Sequence, residues 1–219
     1  MEIRGKITED GSTTLYRPDL DEHYHSIHGA IQESMHVFIE AGLKKCKSDS
    51  LKILEIGFGT GLNALLTMIN ANKKHIVYHS IEKFPLEKNI VEKLNFPSII
   101  NSTVSVNWLK KIHETKWNKE YEIEPWFKLK KIEADFLEHN FEKGYDLVYF
   151  DAFAPEKQPE LWNIEIFQKI FDSMSDNAIL TTYCAKGSVR RAMLSCGFVV
   201  ERIPGPPGKR QMMRAVKWR

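Results

Sequence analysis

Asp151-Ala152-Phe153-Ala154-Pro155 follows directly on the apolar run Leu147-Val148-Tyr149-Phe150. A strand that ends this way sets a carboxylate and stiff, carbonyl-rich backbone at the carboxyl edge of a sheet, where open α/β sheets bind their ligands. Such a carboxylate suits an amine nucleophile. An alkyl amine is protonated near neutrality, with a pKa of about 10. It must therefore lose a proton before it attacks, and the positive charge that forms during attack needs nearby acceptors. Asp151 is expected to be that acceptor, with Phe153 packing on the substrate and Pro155 fixing the loop.

A second constellation lies upstream. Lys52 to Ile56 reads as a buried strand with Glu55 inside it, followed by Gly57-Phe58-Gly59-Thr60-Gly61 and then Leu62-Asn63 at a helix start. Glycines in such a turn permit positive φ and let backbone approach a ligand closely. The dinucleotide fingerprint needs Gly-x-Gly-x-x-Gly, and Leu62 stands where its third glycine belongs. Glu55 would repel a pyrophosphate but attract the amino group of S-adenosylmethionine (SAM), which favours SAM over a nicotinamide dinucleotide. Glu82 ends the next strand about 20 residues on, the usual place for an acid that bonds ribose hydroxyls. Asp135 follows a third strand, where a carboxylate can accept from an adenine amine. Gly57, Gly59, Thr60, Gly61, Asn63, Glu82, Lys83, Asp135 and Asp151 form the candidate cofactor set with Glu55.

These residues need a sheet to hold them. Strands are expected at 52–56, 75–81, near 129–132, 147–150, 178–183, 198–203 and 212–218, and helices at 27–43, 62–70, after Pro85, 161–171 and 188–196. The alternation predicts a doubly wound, mainly parallel sheet. Its last two strands, joined by Pro204-Gly205-Pro206-Pro207-Gly208, leave no room for a helix and should pair antiparallel. Residues 1–26 read as an arm, irregular or a small hairpin. Residues 98–127, with Trp108, Trp117 and Trp126, read as helices and loops whose tryptophans pack a core or lid.

The 219 residues suit one domain, 42% hydrophobic and 27% charged. No apolar run reaches the roughly 20 residues of a membrane span, and the N-terminus lacks a signal-peptide core. Cys46, Cys184 and Cys196 suggest neither a disulfide framework nor a zinc site. His23, His25, His28 and His36 lack a partnering cysteine, so no metal is expected; the cysteine usage and the missing signal core point to a reducing cytoplasm. From Lys186 onward there are nine basic residues and one acid, Glu201, a net of +8 that leaves −6 for the rest of a chain of net charge +2. Such one-sidedness suits a polyanion.

With these stretches in view, and with Asp151 to Trp162 as a block, the chain resembles the MnmC/MnmD family of tRNA methyltransferases. The likeness runs from Tyr24-His25-Ser26 through Gly187-Ser188-Val189-Arg190-Arg191 to Gly208-Lys209-Arg210-Gln211-Met212-Met213. It implies a class I SAM-dependent, Rossmann-like fold over one domain (1–219). It also implies methylation of the aminomethyl nitrogen of 5-aminomethyl-(2-thio)uridine at the tRNA wobble position. Tyr24 and Ser26 join the cofactor contacts on that likeness. Lys186, Arg190, Arg191, Lys209 and Arg210 are the candidate contacts to the anticodon region of tRNA. No FAD-dependent domain is expected, and a monomer is. A SAM-dependent N-methyltransferase for a small amine or protein side chain, or a non-catalytic RNA-binding module, are the competing readings.

Overall fold

The computed structural model describes residues 3–218; Met1 and Glu2 of the arm and Arg219 of the basic tail lie outside them. The chain opens with a three-stranded antiparallel sheet, β1 (Arg4–Ile7), β2 (Thr13–Arg17) and β3 (Glu22–His23). Then come α1 (Ala30–Ser34) with a π-helical continuation (Met35–Glu40), β4 (Ser50–Ile56), α2 (Leu62–Ile69) and β5 (His75–Glu82). Short helices α3 (Lys88–Val91) and α4 (Phe96–Ile100) precede α5 (Ser105–Glu114), β6 (Glu120–Glu124), β7 (Phe127–Glu133) and β8 (Tyr145–Phe150). The chain closes with α6 (Ile164–Ser173), β9 (Met174–Thr182), α7 (Gly187–Ser195), β10 (Val199–Pro204) and β11 (Gln211–Val216).

The eight-stranded main sheet runs β10-β11-β9-β8-β4-β5-β7-β6. Its interior is parallel: Leu54 stands opposite His79 on one side and Val148 on the other. Both of its faces are covered, as parallel sheets require. Ile53 and Tyr149 pack towards α1, α2 and α5, whereas Leu54, Ile56 and Phe150 pack towards α6 and α7. The C-terminal hairpin closes antiparallel, Val200 facing Ala215, as expected from its helix-free connection.

The strand order turns around at β4. From there the chain builds outward through β5 and β7, then returns to add β8 and β9 on β4's other side. Adjacent strands whose connections leave in opposite directions open a crevice at their carboxyl ends. The glycine turn follows β4 and the Asp151 loop follows β8, so both lie at that crevice.

Three segments depart from expectation. The 98–127 stretch gains a strand, β6, in a hairpin with β7, and alternation of Tyr121 and Ile123 with glutamates carries it. Its tryptophans do pack: Trp108 lies edge-on to Trp126 at 5.7 Å, and Trp117 meets Phe58 at 5.6 Å. The helix expected over 27–43 starts only at Ala30 and passes into π geometry at Met35. Beyond Pro85 helix begins at Lys88, short and without a buried residue.

Phe38 sits where α1's continuation meets the sheet, 1% exposed with its ring 5.1 Å from that of Tyr149. Phe38→Ala should cost about 3–5 kcal/mol of stability through the cavity it leaves, measured by urea unfolding.

Candidate active site

Gly57, Gly59 and Gly61 all have positive φ, at 91°, 49° and 73°. At Gly57 no side chain would fit, because a Cβ would stand 2.7 Å from the carbonyl oxygen of Asp151. The two turns are therefore in backbone contact, and the Asp151 N–H donates to Ile56 O at 3.0 Å beside them. Glu82, at the end of β5, holds the turn from its other side. One carboxylate oxygen accepts the Gly59 N–H at 3.1 Å, and the other accepts the Phe84 N–H at 2.9 Å. Burial raises the Glu82 carboxyl's pKa, opposed by those backbone donors.

A cavity of about 540 Å³ opens between these turns. Of the sequence candidates, Tyr24, Ser26, Gly57, Gly59, Thr60, Asn63, Glu82, Lys83, Asp135, Asp151, Phe153 and Lys209 line it. Glu55, Gly61 and Pro155 do not. Gly61 backs onto His113 and Phe58, at 3.1 Å from each for a Cβ. Glu55 is fully buried behind the wall, bonded to the Ser80 hydroxyl at 2.6 Å. Asp135 is held by Lys83 at 2.6 Å, and chiefly this pair keeps its pKa below the ordinary carboxylate value.

The far end of the cavity is built around Asp151. Asn63, in the first turn of α2, donates its side-chain N–H to Asp151 Oδ2 at 2.8 Å. Burial pushes the Asp151 carboxyl up to about 7, against the opposing effect of the Asn63 bond; Glu33 raises it further and Lys209 lowers it. The loop that follows is braced twice: the Tyr183 hydroxyl donates to Ala152 O at 2.8 Å, and the Trp162 indole N–H to Phe153 O at 2.8 Å. Phe153 stands edge-on to Tyr24 at 5.2 Å. The Arg17 guanidinium lies 5.6 Å from both Phe153 and Phe84.

Sequence reasoning passed over Glu33, Arg17 and Tyr183. Glu33 is 7% exposed and accepts the Ser26 N–H at 2.7 Å and the Lys209 ammonium at 2.6 Å. Its signal was an acid on the face of α1 shared with buried Ala30 and Val37. The five cations differ in their surroundings. Lys209 enters the cavity wall, 3.9 Å from the Tyr183 ring centre, and Lys186 pairs with Glu156. Arg191 and Arg210 are exposed, with Arg190 half-buried. His25 lies 3.4 Å from the Thr60 hydroxyl, whereas His28 meets Glu9 and His36 meets Pro204 O.

A crevice at the turning point of a doubly wound sheet, with a glycine turn and acids at three successive strand ends, defines a Rossmann-like enzyme for a nucleoside-bearing cofactor. Residues 95–218 match the model of a family described as S-adenosyl-L-methionine-dependent methyltransferase, and the chain belongs to that family. It is 29% identical to the tRNA 5-methylaminomethyl-2-thiouridine biosynthesis bifunctional protein MnmC of Burkholderia multivorans, over 96% of this chain but only 35% of that protein. The crystal structure of MNMC2 from Aquifex aeolicus aligns with a TM-score of 0.77 and 28% identity, over 98% of this chain and 70% of that one. Spermidine synthase from Thermotoga maritima, at 12% identity and a TM-score of 0.53, shares the fold alone.

The cavity fits SAM by its own chemistry. Gly57 and Gly59 leave bare backbone at the wall, and Glu82 and Asp135 retain accepting capacity for hydroxyl and amine donors. Gly57→Ala should weaken SAM binding about tenfold or more and lower the melting temperature, since Cβ meets fixed backbone and φ is positive; calorimetry and thermal unfolding measure both. Asp151 gives a pH prediction. Its folded pKa, about 7, lies above the ordinary 3.8, so the stability it contributes is full below 3.8 and is lost as pH rises through 7. The cofactor-free Asp151→Asn protein should therefore melt higher than the unaltered one at about pH 8.5, with the gap closing towards pH 4.

Proposed function

We propose that this chain transfers a methyl group from SAM to the aminomethyl nitrogen of 5-aminomethyl-(2-thio)uridine at the tRNA wobble position, giving the 5-methylaminomethyl product. One observation carries the reading. A half-buried carboxyl, Asp151, lines the cavity where the cofactor turn and the acceptor loop touch. The chain's likeness to MnmC and to the Aquifex protein supports the choice of tRNA.

When bound, SAM supplies an electrophilic methyl group on a sulfonium. The protein's own task is alignment and proton handling. The Asp151 carboxylate accepts the proton of the incoming ammonium at an Oδ, and a carboxyl with a pKa near neutrality is a better base than an ordinary one. Asn63 holds that carboxylate in place. The carbonyl oxygens of Ala152 and Phe153, fixed by Tyr183 and Trp162, stiffen the loop as positive charge returns to nitrogen. Phe153 and Tyr24 offer aromatic surface to a base. Arg190, Arg191 and Arg210 contact phosphates of the anticodon region, with Lys186 and Lys209 exchanging carboxylate partners for RNA. The enzyme acts as a monomer in the cytoplasm.

Incubation with methyl-labelled SAM and tRNA carrying aminomethyl-uridine, followed by nucleoside analysis, should place label in the methylaminomethyl nucleoside. Asp151→Ala should lower that rate about 10²–10⁴-fold at neutral pH. Binding of the tRNA should fall steeply with salt, as phosphate contacts require. Label absent from tRNA but present on free small amines would overturn the reading.

A further inference from the structure

β4 carries Glu55 into the centre of the molecule, where it is 0% exposed. Its Oε2 accepts the Ser80 hydroxyl, while its Oε1 is enclosed with no donor against it. The Asn63 amide and the Tyr78 hydroxyl adjoin the same carboxyl. Asn63 has already committed an N–H to Asp151, and its own buried Oδ1 also lacks a donor. The Tyr78 hydroxyl, likewise without a partner, can give its one proton to only one of these oxygens, so an ionised Glu55 still leaves a buried acceptor unpaired, an expensive arrangement. A proton on Glu55 resolves it.

None of the groups that act most strongly on Glu55 is a cation. The groups that face it are Ser80 and Tyr78 from β5, Asn63 from α2, Asp151 at the end of β8 and, further off, Tyr149 of β8. Asp151 in turn feels Asn63, Glu33, Lys209 and Tyr183. We propose that Glu55 is a neutral carboxylic acid that donates to Asn63 Oδ1 and thereby forces the amide to present its N–H to Asp151. Glu55 is then a positioning residue for the proton acceptor and not a ligand of the cofactor. The role rests on the methyl-transfer reading of Asp151. The reverse amide orientation would set a carbonyl oxygen against the Asp151 carboxylate, so one proton on Glu55 fixes which end of Asn63 points into the site. Burial, which pushes the Glu55 carboxyl up to about 8, keeps that proton in place at neutral pH.

Two variants test this. Glu55→Gln keeps both bonds, its N–H serving Asn63 and its carbonyl serving Ser80. Its SAM dissociation constant should stay within about threefold of the unaltered protein's, and the acid limb of its methyl-transfer pH profile should not move. Glu55→Leu leaves Asn63 Oδ1 without a donor, so the amide turns and Asp151 loses the N–H that favours its charge. The acid limb then moves to higher pH, with about tenfold loss at pH 7 recovered near pH 9. SAM affinity about tenfold weaker in Glu55→Gln, or an acid limb displaced in that variant, overturns the proposal. If the leucine variant does not fold, the glutamine variant decides alone. Calorimetry with SAM needs no RNA, so a failure of the tRNA reading is seen separately, as absent label from the unaltered protein.

Discussion

Backbone contact between two turns governs the rest of this molecule. Gly57 and Asp151 leave neighbouring parallel strands at the same level, and the glycine is bare because the Asp151 carbonyl oxygen occupies the space of a side chain. That contact puts a cofactor turn and a proton acceptor on one cavity wall. It follows from strand order. Were β8 not next to β4, the two motifs would sit at different points of the sheet edge and share no substrate.

Burial then sets the chemistry. Asp151 lines the cavity half-buried, bonded to Asn63 at the α2 start, and desolvation raises its proton affinity into the physiological range. Glu33 and Lys209, paired at 2.6 Å, close that side without leaving a lone charge. Lys209 thus joins the hairpin turn to α1, and the arm and the C-terminus, distant in sequence, form one wall. The same desolvation acts on Glu55 one layer deeper. There the proposed proton on the carboxyl supplies the donor that the Asn63 oxygen lacks.

Much of this was legible in the sequence because the signals are local. The glycine turn, Glu82 at the end of β5 and the acid-aromatic-proline run after β8 are each set by a few adjacent residues, and each sends residues to one cavity, though Gly61 and Pro155 stay outside it. The residues passed over take their meaning from distant partners. Glu33 reads as an ordinary helix acid until Lys209 arrives from 176 positions away. Arg17 looks like a strand-end cation until Phe84 and Phe153 close on its guanidinium. Glu55 shows the converse: its type and spacing suggested a ligand, but strand pleat turns its side chain inward towards Asn63. β6 was hidden by its charge, since alternating glutamates on an edge strand read as solvated loop.

The central claim is that Asp151 takes up a proton near neutrality because the fold draws it partly out of water at the meeting of two turns. A carbon-13 NMR titration of the aspartate carboxyl carbons, with Asp151→Asn assigning the signal, measures this directly. The account predicts that the Asp151 resonance titrates at about 7 in the cofactor-free protein. A midpoint near the ordinary 3.8 would contradict it.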